Sequence, residues 1–250
     1  MKLSQLTVLG SHDSMTYKLK FPMSVFAKCQ NLTLEEQLDL GVKYFDIRLN
    51  YIDSCLRCYH GISDCKITWV ECLNIFNNWI IKNPNEFILL RVIRADDQTG
   101  KQNISDEQWV DKFYTESNDI VVTDRDLDES EIKGRIIVTN LNWRMAIPSK
   151  MTNCWSLNAC EKDVTKLINE CNVLSEDKSN QVKLIYTNSD GSIKMFNKIP
   201  LLNKIPYPKA FFNILKKRIN EINIVPNNGN WYIFDFVDEI PKEIITKIKK

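Results

Sequence analysis

The chain carries two histidines in 250 residues, His12 and His60, so proton transfer near neutral pH has few candidates. Imidazole is the side chain whose ordinary pKa, about 6.5, lies nearest neutrality. His12 sits in Gly10-Ser11-His12-Asp13-Ser14 and His60 in Tyr59-His60-Gly61, each just after a short apolar run of strand type. Two histidines meeting at one site can take one proton and deliver another, each transfer worth roughly 10²–10⁴-fold in rate. Between them lies Phe45-Asp46-Ile47-Arg48-Leu49, in which strand alternation turns Asp46 and Arg48 to the same side. An ion pair inside an apolar strand needs a reason, and an arginine offers phosphate oxygens a planar fork of donors. Together with the carboxylates of Asp13, Asp46 and Asp235, the set suits chemistry on a phosphodiester.

Residues this far apart in sequence meet where the C-terminal ends of parallel barrel strands converge on one face. Strand-type runs fall at Leu6–Leu9, Tyr44–Leu49, Leu56–Tyr59, Phe87–Ile93, Arg135–Thr139, Val182–Tyr186 and Trp231–Phe236. Helix starts are signalled by capping boxes at Thr33 with Glu36, Thr68 with Glu71, and Ser105 with Gln108. Gly41 stops the first helix, and the second runs on an apolar stripe of Trp69, Val70, Leu73, Phe76 and Ile80 to just before Pro84. Apolar strands alternating with amphipathic helices predict an α/β fold, a parallel sheet covered by helices. No G-x-G-x-x-G follows a strand, which disfavours a dinucleotide-binding sheet. The expectation is a distorted TIM-type parallel β/α barrel with irregular or missing helices, one domain over residues 1–250. The polar stretch Ala95–Lys133 reads as an insertion over one barrel end.

A formal net charge of +1 provides no global field for nucleic acid, and composition excludes low-complexity disorder. The N-terminus lacks the apolar stretch of a secretory signal and no run approaches a membrane span, so the expected location is cytoplasmic or peripheral at membranes. The eight cysteines read as mostly reduced thiols. Cys55-Leu-Arg-Cys58 with Cys65 and His60 nearby has some zinc-site character, but a second ligand pair at suitable spacing is missing, and no metal is expected there.

At this point a family resemblance is visible. Gly10-Ser11-His12-Asp13-Ser14-Met15-Thr16-Tyr17, Leu34–Leu40 leading into Gly41-Val42-Lys43-Tyr44-Phe45-Asp46-Ile47-Arg48, then His60-Gly61, then Asn83-Pro84-Asn85-Glu86 resemble the X-domain of phosphatidylinositol-specific phospholipases C. This ordered set spans the first 95 residues, and Trp231–Phe236 looks like the family's final strand. The resemblance implies attack of the inositol 2-hydroxyl on its own neighbouring phosphate. By that carry-over His12 is the general base backed by Asp235, and His60 protonates the leaving oxygen. Arg48, paired with Asp13, stabilises charge on the phosphate, and Asp46 has a supporting, orienting role. Calcium-dependent members place a carboxylate where this chain has Arg48; a guanidinium there can replace the cation, so no cofactor is expected.

Substrate-binding candidates outside the motif are Arg94 and Tyr186, both at strand ends. From Lys194 to Arg218 lysines interleave with apolar residues, and the loop Asn197–Pro206 is the candidate for contact with a phosphatidylinositol-containing membrane surface. A core-facing helix is expected from Pro208 to Asn220, and no obligate protein partner is evident. Two competing readings remain at this level: a lipid-binding module whose histidines are structural, and another barrel phosphodiesterase acting on glycerophospho- or sphingo-phosphodiesters.

Overall fold

The three hydroxyl residues start helices as their spacing predicts. In a computed structural model describing residues 1–95, 104–118, 120–153, 157–189 and 207–249, Thr33, Thr68 and Ser105 accept from the backbone N–H of Glu36, Glu71 and Gln108. Each box is closed by the Glu or Gln reaching back. Five helices follow loops at Met23–Ala27 (α1), Leu34–Leu40 (α2), Trp69–Lys82 (α3), Asp106–Glu116 (α4) and Glu129–Ile132 (α5). Three more lie at Glu161–Ser175 (α6), Pro208–Lys216 (α7) and Lys242–Ile248 (α8). Gly41 ends α2 at φ 105°, a left-handed cap that a side chain would strain. Along α3 the buried stripe is Trp69, Cys72, Leu73, Phe76 and Ile80, whereas Val70 faces outward. Its helical angle puts it one position off the stripe.

The strands are Val8–Ser11 (β1), Tyr44–Ile52 (β2), Cys55–His60 (β3), Ser63–Thr68 (β4), Ile88–Arg94 (β5), Val121–Val122 (β6), Ile136–Leu141 (β7), Met145–Ala146 (β8), Ser149–Met151 (β9), Val182–Tyr186 (β10) and Asn230–Phe234 (β11). Eight of them form one parallel path in the order β6-β7-β5-β2-β1-β11-β10-β9. The sheet is curled into a half-barrel. Strands β2 and β10 are three positions apart, about 14 Å in a flat sheet, yet the hydroxyls of Tyr44 and Tyr186 stand 3.3 Å apart across the concave face. The distortion has a local source: β6 pairs outside β7 although it precedes β7 in sequence.

Two expectations need correcting. The Leu56–Tyr59 run is no parallel barrel strand; β3 runs antiparallel to β2 and continues into antiparallel β4. A turn at Asp53 and Ser54, both at positive φ, folds the chain back at once, and the two-residue gap leaves no room for a crossover helix. The stretch Ala95–Lys133 is also more than an insertion, since it contributes β6 and buries Trp109 and Phe113 completely. Trp69, Phe113 and Trp109 stack in sequence, which ties α4 to α3. Helix α7 is core-facing as expected, burying Phe211, Phe212 and Leu215. The loop Asn197–Pro206 lies outside the described residues.

The cysteines described carry free thiols, and Cys58 and Cys72 face each other with Sγ atoms 3.4 Å apart. Cys55 lies on the other face of β3 and turns its thiol to the Ile52 carbonyl. None of the described helices is long and apolar enough to cross a membrane.

Candidate active site

Strand β1 delivers His12 to the C-terminal rim of the sheet, where its N–H is held by the Phe234 carbonyl of β11. The next residue, Asp13, adopts φ 42°, a left-handed turn that folds its carboxylate back over the rim. Ser14 anchors this turn by donating its N–H to the Asp46 carbonyl and pairing its hydroxyl with Ser11 at 2.7 Å. Gln30 braces the far side, donating to the carbonyls of both His12 and Phe234. The loop that presents His12 is thus held at both the N–H and the carbonyl of His12 and at the N–H of Ser14.

The His12 ring is wired at both nitrogens. Nδ1 lies 2.8 Å from Asp235 Oδ1, just past the end of β11. Nε2 lies 3.1 Å from Asp13 Oδ2, and the Arg48 guanidinium and the Asn188 amide point donors at it from 3.2 and 3.3 Å. A nitrogen placed between one acceptor and two donors is served whether it is bare or protonated. Burial by itself would lower the pKa of this ring, but the charges of Asp13 and Asp235 outweigh it despite Arg48, and the net shift is upward from 6.5. Asp235 is raised, first by burial, with His12 pulling the other way.

His60, at the end of β3, points its Nδ1 at the Ala27 carbonyl at 2.7 Å and its Nε2 at Asp13 Oδ2 at 3.1 Å. Both ring nitrogens therefore face acceptors. The hairpin corrected above is what brings it here. A third parallel strand would have carried His60 around the sheet, whereas β3 runs back along β2 toward Asp13.

One carboxylate thus sits between the two histidines. Asp13 also takes Arg48 Nε at 2.7 Å, and despite complete burial its pKa is held well below the usual carboxylate range by Arg48, His12, His60 and Arg91. Asp46 and Arg48 do share a side of β2, at 3.6 Å. The principal partner of Asp46 is Arg91 of β5, at 2.8 Å, the residue opposite it in the parallel register. Three carboxylates, Asp13, Asp46 and Asp235, face two guanidiniums. Several trios, including His12, Asp13 and Asp46, are close enough to hold a cation. Arg48 already occupies the space between them, within 3.6 Å of all three.

The substrate-binding candidates fare differently. Arg94 does not join the cluster: its parity on β5 is opposite to that of Arg91, and it bonds Asp106 at the start of α4 and the Ile104 carbonyl. It is buried on the helix side of the sheet. Tyr186 is inside but at the floor, edge-on to His12 at 6.2 Å and paired with Tyr44, with no exposed surface. Arg91 and Asn188 are members that sequence reasoning missed. Arg91 carried a signal, a charge in the middle of an apolar strand, and its guanidinium lies 4.9 Å from the Trp143 ring centre. Asn188 carried none.

No family model matches the chain. It is 28% identical over 151 residues to a 1-phosphatidylinositol phosphodiesterase of Staphylococcus aureus, covering 55% of this chain and 46% of that protein. It is 29% identical over 104 residues to the protein of that name in Listeria monocytogenes (40% and 31% covered), and 28% over 117 residues to human PI-PLC X domain-containing protein 2 (36% and 38%). These matches span less than half the length of the curated relatives. Solved phosphatidylinositol-specific phospholipases C superpose across the barrel: one from S. aureus with TM-score 0.75 at 16% identity, over 99% of this chain and 91% of that one, and one from L. monocytogenes with 0.73 at 18%, over 99% and 93%. By fold the chain is a barrel of the bacterial phosphatidylinositol-specific phospholipase C type, and over part of its length its sequence is similar to proteins named 1-phosphatidylinositol phosphodiesterase.

Proposed function

We propose that this chain cleaves the phosphodiester of phosphatidylinositol-type lipids at a membrane surface, by attack of the inositol 2-hydroxyl on the adjacent phosphorus. The observation that carries the reading is the pair of histidines, each with Nε2 at 3.1 Å from the same Asp13 carboxylate oxygen, beside a buried arginine. His12 Nε2 takes the proton of the 2-hydroxyl as the new O–P bond forms, and the buried Asp235 holds the ring and balances the charge it gains. Arg48 faces the phosphate oxygens as negative charge builds on them. The bond to the diacylglycerol oxygen breaks as His60 Nε2 gives that oxygen its proton. The products are diacylglycerol and inositol 1,2-cyclic phosphate. Asp46 and Arg91 fix Arg48 from below, a supporting role.

The reaction as written uses no metal. The guanidinium of Arg48 supplies the positive charge, and a divalent cation placed among the same carboxylates would meet it at close range. Another barrel phosphodiesterase with a carboxylate metal centre would behave oppositely. The test is cleavage of phosphatidylinositol in detergent micelles with excess chelator, comparing wild type with His12→Ala. Cyclic phosphate formed by wild type and reduced at least about 10²-fold in the variant is the expected result. Activity that appears only when calcium is restored overturns the metal-free mechanism, and equal product from both proteins overturns the role of His12.

A further inference from the structure

Cys29 is a side chain of the active site for which the proposed reaction has no task. It lies between α1 and α2, fully buried, with its backbone fixed on both sides. Its N–H donates to Thr16 Oγ1 at 2.9 Å, and its carbonyl accepts from the Phe236 N–H at 2.7 Å. The Cys29 Sγ stands 3.9 Å from Asp13 Oδ2, the same oxygen that faces His60 Nε2 at 3.1 Å. Thiol, imidazole nitrogen and carboxylate oxygen all lie within 4.8 Å of one another. Around a tetrahedral zinc ion, with bonds of about 2.0–2.3 Å, such atoms stand roughly 3.3–3.6 Å apart. The two contacts at Asp13 Oδ2 depart from that spacing by less than about half an ångström.

The groups behind these three atoms are arranged as around a metal. The Ala27 carbonyl, 2.7 Å from His60 Nδ1, can only accept, so the Nδ1 proton is held there and Nε2 is the ring's ligand atom. Asp13 is oriented through its other oxygen, Oδ1, by Arg48 Nε at 2.7 Å. Arg48 therefore reaches this carboxylate on the side away from Cys29 and His60. Burial and the charges of Asp235 and Asp13 push the Cys29 thiol up, and a dication offsets those charges as the thiol proton leaves to water. A sulfur, nitrogen and oxygen set suits zinc, whereas calcium takes about six to eight oxygens. The trio His12, Cys29 and Asp235 is also close, but Arg48 and Asn188 donate toward His12 Nε2. The His12 proton then lies on Nδ1, toward Asp235, with no lone pair for a metal on that side.

We infer that Asp13, Cys29 and His60 form a binding site for Zn²⁺, reached past the His60 ring, whose side chain is 15% exposed. The ion sits between His60 Nε2 and Asp13 Oδ2, where His60 otherwise holds the proton it gives to the leaving oxygen. Zinc is then an inhibitor of the reaction and not its cofactor. The inhibition rests on the proposed function; the binding does not.

The test titrates the whole chain, reduced with a phosphine and freed of chelator, with Co²⁺ as a spectroscopic stand-in for Zn²⁺. Wild type is expected to show a thiolate-to-cobalt charge-transfer band. Cys29→Ser should lose the band and bind the ion at least about tenfold more weakly. Cys58→Ser, which alters the Cys58–Cys72 pair, should keep it. His60→Gln, at a partly exposed position, carries the same test should Cys29→Ser fail to fold, and circular dichroism reports folding for each variant. In phosphatidylinositol cleavage Zn²⁺ should inhibit wild type. Cys29→Ser, measured against its own uninhibited rate, should need at least about tenfold more Zn²⁺ for the same inhibition. Equal affinity or equal inhibition in wild type and Cys29→Ser overturns the site. So does a band that persists in His60→Gln and disappears in Asp235→Asn, which would put the ion on the other trio. A Cys29-dependent band in a protein that cleaves no phosphatidylinositol would sink the proposed function and leave the site standing.

Discussion

At the scale of single residues, the site depends on how burial and charge oppose each other around His12. Burial alone would discharge the ring, and the carboxylates of Asp13 and Asp235 reverse that. Removing the Asp235 charge should therefore lower the pKa of His12. Under the proposed mechanism Asp235→Asn moves the acidic limb of the pH–rate profile to lower pH, because His12 must be neutral to accept a proton. The plateau should fall as well, as the amide no longer balances the charged ring. The check is a pH profile of kcat/KM for both proteins; an acidic limb that stays put or moves to higher pH would show that Asp235 does not tune His12.

At the scale of elements, the strand that leads to Asp235 is anchored at the opposite end of the sheet. Strand β11 begins after a turn at Asn227–Gly229, and Gly229 has φ 68° at a place where an added Cβ would collide with the Ser4 carbonyl. Its own carbonyl accepts from Lys183 N–H, and the Lys183 ammonium donates to the Ser179 and Asn228 carbonyls at 2.7 Å each. Gly229→Ala adds a methyl with nowhere to go, on a backbone that by itself costs a side chain about 1–2 kcal/mol. The destabilisation should exceed about 2 kcal/mol, measured as a shift of the urea midpoint at constant slope. A loss below half that size would mean that the turn relaxes away from Ser4.

At the scale of the whole molecule, the buried charges tie folding to pH. Asp13 has a lowered pKa in the folded protein, so its contribution to stability is present above about 3.8 and is lost as pH falls through the lowered value. His12 has a raised pKa, so its contribution is present below about 6.5 and is lost as pH rises through the raised value. The network should stabilise most in the mildly acidic window between the two. In Asp13→Asn the acid-side loss should shrink, and the alkaline-side loss should be smaller and end at lower pH because a charge that raises His12 is gone. Thermal midpoints across pH for both proteins test this; identical profiles would show that the ion network is not what titrates.

Much of this was legible in the sequence because it is local. Capping boxes at Thr33, Thr68 and Ser105, the glycine stop at Gly41 and the apolar runs each report on a few neighbouring residues. The motifs around His12, Asp46-Arg48 and His60 named residues that the structure does bring together. What the sequence could not show was register and direction. Whether Arg91 or Arg94 faces the site depends on the alignment of β5 against β2, which pairs Asp46 with Arg91 and turns Arg94 to the helices. Whether β3 runs parallel or returns along β2 depends on a tight turn at Asp53 and Ser54. Asn188 reaches His12 only because the sheet curls, bringing the ends of β10 and β1 to the same ring. Residue types and short spacings are written in the chain; distances between strands are set only when the whole sheet closes on its core.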